Sequence, residues 1–110
     1  MSSEIRGTDN WSSADEVNQG LGVNQTWQNV TASRANSTVY TNSTGKPIFV
    51  NINYGNVVDG IIELHVDGVT ASRDSVSSGD FAQLVAIVPN GSTYNTADVT
   101  MPMDRWCELR

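Results

Sequence analysis

The chain has 110 residues, enough for one domain with a modest core and too few for a cofactor domain beside a substrate domain. Twelve acidic residues against six basic ones leave a net charge of −6, which argues against nucleic acid and anionic membranes, because both attract cationic surfaces. Charged residues are scarce at 16%, and 33 of the 110 residues are Ser, Thr or Asn, a bias that favours turns and strands over helices. Residues 1–24 are poor in apolar groups and hold no sustained period, so they read as an extended arm. Ile5, Trp11, Val17 and Leu21 are the arm's candidate docking side chains. The domain itself is expected over residues 25–110.

From Gln25 onward the apolar period becomes two. Trp27–Thr31 and Thr38–Asn42 are expected strands, and residues 42–47, with Gly45 and Pro47, form a turn by composition. Ile48–Tyr54 is the clearest strand: apolar positions 48, 50, 52 and 54 alternate with Phe49, Asn51 and Asn53. One of its faces points to the core, the other to water or a partner subunit. Gly55–Gly60 reads as a loop, then Ile61–Val66 as a strand. Asp67-Gly68 between two β-like runs signals a tight hairpin into Val69–Ser72. A loop over Ser75–Asp80 follows. Phe81–Val88 is nearly continuous in apolar character, as expected of a strand buried on both faces. Short runs at Thr93–Asn95, Ala97–Met101 and Trp106–Leu109 complete the chain. About eight short strands with turn signals at this spacing predict an all-β fold, an antiparallel β-sandwich of jelly-roll type. No helix long enough for a parallel crossover is visible.

Reactive chemistry is sparse. His65, on the side of its strand that carries Glu63 and Asp67, reads as a solvated histidine. Cys107, far from it in sequence and next to Trp106, reads as a small buried apolar side chain. Asp67, Asp74 and Asp80 are too widely spaced for an EF-hand-like calcium loop, and no glycine-rich phosphate cradle occurs. No metal, cofactor or catalytic residue is expected. No run approaches the length of a membrane span, and residues 1–10 lack the features of a secretory signal. With its lone thiol, the chain reads as one made in a reducing cytoplasm. Asn-x-Ser/Thr triplets at Asn10, Asn24, Asn29, Asn36, Asn42 and Asn90 follow from composition rather than glycosylation. Trp27, Tyr40, Tyr54, Tyr94 and Trp106 read as core or rim residues, with sugar stacking as the sharper alternative.

The run Gly22–Arg34, GVNQTWQNVTASR, resembles a motif of tail-fibre proteins of tailed bacteriophages. The resemblance continues through residues 40–48, YTNSTGKPI, residues 66–69, VDGV, residues 86–94, AIVPNGSTY, and the closing Trp106-Cys107-Glu108-Leu109-Arg110. In the family the ending reads Trp, a variable residue, Glu, Leu, Arg, and Cys107 fills the variable slot. The resemblance implies a β-rich tip domain on the virion surface. It implies a non-catalytic homotrimer that contacts the host cell and holds other virion proteins through its arm. Capsid decoration is the alternative, and a glycan-degrading enzyme a distant third. Trp27, Arg34, Tyr40, Gly45, Pro47, Trp106, Glu108 and Arg110 read as structural motif residues, with an Arg34–Glu108 ion pair near Trp27 or Trp106 tying the first strand to the last. Receptor contacts, to a glycan or a protein, are expected in the two loops outside the motif, at Asn56 and Asp59 and at Asp74, Ser77, Ser78 and Asp80.

Overall fold

A computed structural model describes residues 20–55, 58–97 and 101–110. Eight strands form in chain order: β1 (Trp27–Asn29), β2 (Tyr40–Thr41), β3 (Ile48–Tyr54), β4 (Gly60–Val66), β5 (Val69–Val76), β6 (Ala82–Val88), β7 (Thr93–Ala97) and β8 (Met103–Leu109). A single 3₁₀ turn, Thr31–Ser33, lies between β1 and β2. The strands build two four-stranded antiparallel sheets, in the orders β1-β8-β3-β6 and β2-β7-β4-β5. Apart from the β4–β5 hairpin, successive strands alternate between the two sheets, and these orders are jelly-roll connectivity.

Period-two alternation accounts for the core. β3 buries Ile48, Val50, Ile52 and Tyr54, and β6 buries Ala82, Leu84, Ala86 and Val88. Ile62 and Leu64 of β4, Tyr94 of β7 and Trp106 of β8 meet them from the other strands. Each buried Val, Leu or Ile among them contributes about 1.5–3 kcal/mol by leaving water. The Asp67-Gly68 hairpin forms as read: φ is +52° at Asp67 and +79° at Gly68, and Val66 pairs with Val69.

Four expectations are corrected. β6 is not buried on both faces. It is a sheet edge with alternating burial, and Val85 and Ile87 point outward. A continuous apolar run therefore encoded one core face and one exposed apolar face. β5 extends to Val76, so Asp74 belongs to a strand rather than a loop. β1 is shorter than read because the 3₁₀ turn interrupts it at Thr31. Cys107 is half-buried and points away from the core, since in β8 it is the inward alternation of Trp106 and Glu108 that fills the interior. Of the arm, Ile5, Trp11 and Val17 lie outside the described residues, and Leu21 is exposed.

The two sheets close along one side without strand pairing. Ser72 Oγ accepts from the Val85 backbone N–H at 3.3 Å, and Asp74 Oδ2 accepts from the Gln83 N–H at 3.2 Å. Side chains of β5 thereby cap two edge donors of β6, an arrangement that blocks further strand addition there.

Candidate functional site

The polar interior is organised around Glu108, which is fully buried. Arg34 grips it through two bonds, Nε to Oε2 and Nη2 to Oε1, both 3.1 Å. Tyr94 Oη and Trp106 Nε1 donate to Oε2 at 2.8 and 2.9 Å, and Arg110 Nη1 donates to Oε1 at 2.6 Å. The Arg34 guanidinium also stacks over the Tyr40 ring, 4.7 Å from its centroid. Burial alone would push the Glu108 carboxyl up, but the bonds from Arg34, Tyr94 and Arg110 outweigh it and hold the carboxyl below the usual range. The same burial, with the neighbouring Glu108 charge, pushes the Tyr94 phenol up to about 12. The arrangement ties the β1–β2 connection to β8. It lies beside Trp106 and not Trp27, and its acceptor capacity is spent internally.

A second polar clasp was not singled out from the sequence. Asn42, 1% exposed, donates Nδ2 to the carbonyls of Lys46 and Val88 at 2.7 and 2.9 Å and accepts from the Thr44 N–H and hydroxyl. It joins the β2–β3 turn, with Gly45 and Pro47, to the β6–β7 turn. The signal was present as a turn Asn, but nothing local to residues 42–44 announces partners 46 positions away.

The sandwich has two unlike ends. At the entry end the chain feeds into β1 and Arg110 pairs with Thr26. There Gln25 Nε2 donates to the Pro47 carbonyl at 2.8 Å, Lys46 Nζ to the Val23 carbonyl at 3.0 Å, and Ser92 Oγ to Asp67 Oδ2 at 2.6 Å. The far end carries the β3–β4 and β5–β6 loops. One bond joins them among the described residues: the Ser78 N–H donates to Asp59 Oδ1 at 2.6 Å. Of the residues read as receptor contacts, the structure brings Asp59, Ser77, Ser78 and Asp80 together at this end. Asp74 stands beside them on β5, and Asn56 lies outside the described residues.

A groove of about 540 Å³ opens at the same end, with Asn53, Asp74, Phe81, Gln83, Asp104 and Arg105 on its walls. Phe81 was read from the sequence as the first residue of a buried strand. It is 82% exposed.

The two outer faces also differ. On the β2-β7-β4-β5 sheet, Glu63 pairs with Arg73 at 2.9 Å and lies 2.9 Å from His65 Nε2, with Thr70 alongside. These bonds, from His65 first and then Arg73, hold the Glu63 carboxyl below its ordinary range. Strand register on the opposite sheet places Trp27, Leu109, Phe49 and Ile87 in one continuous row. Trp27 is 54% exposed, and its ring meets Phe49 edge-on at 5.8 Å. The next row is Asn29, Cys107, Asn51 and Val85, without a charge. Trp27, read as a structural motif residue, is thus a surface residue of an apolar row. Among the described residues, no group of three His, Cys, Asp or Glu side chains is placed to hold a metal ion.

No family model, curated protein or solved structure matches the chain.

Proposed function

We propose that this chain is a virion surface protein of the bacteriophage tail-fibre tip type, a non-catalytic homotrimeric adhesin that contacts the host cell. The observation that carries the reading is the division between the ends. Several side-chain bonds tie the loops of the entry end together, whereas the β3–β4 and β5–β6 loops of the far end share one bond among the described residues and stand beside an open groove. Loops on a rigid sandwich are where binding residues concentrate. The motif series supports the family, and jelly rolls are used in both capsid and lectin domains, which is an analogy of fold. A non-catalytic role agrees with the placement of the reactive side chains. His65 and Cys107 lie on opposite outer faces, and the best-connected carboxylate, Glu108, is sealed in the interior.

The uncharged row Trp27-Leu109-Phe49-Ile87 supplies the self-association surface in this reading. Copies of a −6 chain repel one another, and they approach at least cost through rows of side chains that hold no charge. The same face favours a second reading, capsid decoration, in which the row lies on a lattice. Fluorescently labelled protein applied to a panel of bacterial strains tests the adhesin. Saturable labelling of at least one strain is the expected result, and no labelling of any strain refutes it. Labelled antibody on intact particles separates the readings, since a tip marks the tail and decoration marks the capsid.

A further inference from the structure

We infer that the far-end groove beside Phe81 is a subsite for a neutral, hydroxyl-rich glycan, an inference that rests on the adhesin reading and names its ligand class. Among the described large apolar side chains Phe81 is the most exposed, and it belongs neither to the core nor to the apolar row. Its ring lies against the chain at Gly55, where a Cβ would stand 3.2 Å from Phe81 Cε1. Glycine at 55 therefore lets the ring rest on backbone while its other side faces water. An aromatic face is electron-rich, and the weakly positive C–H face of a pyranose ring complements it.

The polar groups around the ring are available. Among the described residues the side chains of Asn53, Asp104 and Arg105 have no polar partner, though all three line the groove. Asp74 uses Oδ2 on the Gln83 N–H and keeps Oδ1. Gln83 uses Nε2 on Asn51 at 2.9 Å and keeps its side-chain carbonyl oxygen as an acceptor. A sugar hydroxyl both donates and accepts. Carboxylates and amide oxygens take its proton, while the Arg105 guanidinium and the Asn53 amide donate to its oxygen. One apolar platform with a few convergent polar groups is the usual make-up of a small-ligand site.

Other ligands fit less well. Two carboxylates against one guanidinium disfavour a phosphorylated or sulfated ligand. An extended peptide that adds as a strand needs free donors on the β6 edge, and Ser72 and Asp74 already occupy those of Val85 and Gln83.

The test is ¹⁵N–¹H correlation spectroscopy of the full chain with glucose, galactose, N-acetylglucosamine and rhamnose at millimolar concentrations. At least one sugar is expected to shift the amides of Asn53, Phe81, Gln83 and Arg105. F81A and D104N are expected to bind about tenfold more weakly with the spectrum otherwise intact. No shift at those amides with any of the four sugars, or unchanged binding by F81A, overturns the inference. Strains that the protein labels are then treated with periodate, which cleaves vicinal diols, or with protease. Loss of labelling after periodate alone supports the glycan. Loss after protease alone refutes the glycan and leaves the adhesin standing. Sugar binding in the spectra with no labelling of any strain refutes the adhesin and leaves the subsite.

Discussion

Glu108 is the residue on which most of the interior polarity converges. A buried carboxylate with five donors is stable only while every donor is present, because an ion left unpaired in a low-dielectric interior loses hydration without compensation. E108Q leaves the Arg34 guanidinium, itself mostly buried, without its counter-charge. Urea denaturation at neutral pH is expected to show a loss on the order of 3 kcal/mol. The acid dependence follows from the direction of the shift. With a folded value below the 4.5 of a free glutamate, the stability from Glu108 is complete above that value. It is lost as pH falls through the lower folded value. Melting temperature followed from pH 7 downward is expected to drop in this acid window, with a shallower drop in E108Q. An equal acid slope in both proteins contradicts the assignment. Asn42 works on the same logic without charge, and its burial also makes its Asn-x-Thr triplet unsuitable as a glycan acceptor.

At the scale of the elements, the β4–β5 hairpin shows local chemistry deciding geometry. Its two-residue loop requires positive φ at both positions, and Asp67 adds an oxygen for Ser92 and another for the Thr93 N–H at 2.9 Å. Those bonds, from Ser92 first, hold its carboxyl low. G68A introduces a Cβ in open space, so its cost is conformational, about 1–2 kcal/mol. A urea midpoint that moves down with an unchanged m value is the expected record, and an unmoved midpoint contradicts it. β5 and β6 show the opposite case. Two edges from different sheets are joined by the side chains of Ser72 and Asp74, so the closure depends on strands brought together by the whole fold.

For the molecule as a whole, the asymmetry between the two outer faces is what the proposed self-association rests on. Light scattering is expected to report three times the 11.9 kDa chain mass at micromolar concentration. I87D places a charge at the sheet-edge end of the apolar row, at a position 54% exposed, so it leaves the core untouched. It is expected to give the single-chain mass with an unchanged circular dichroism spectrum. A wild-type monomer, or a trimer that survives I87D, removes this face from the assembly. The expected strand pattern, the Asp67-Gly68 turn and the pairing of Arg34 with Glu108 were all within reach of local pattern and motif. The groove was not, because Asn53, Asp74, Phe81 and Asp104 come from four segments with no shared spacing.

Period-two alternation and turn residues are local properties, written within a few positions of each strand, and from them the chain alone determined an all-β sandwich with one face of β3 in its core. Which apolar residues stay in water is a different kind of fact. Val85, Ile87 and Phe81 look like core residues in sequence, but Val85 and Ile87 stand on the outer face of their sheet and Phe81 lies in the loop before β6. Which face of a sheet stays uncovered and which loops meet arise from long-range packing, so the apolar row and the groove existed as features only once the strands had closed.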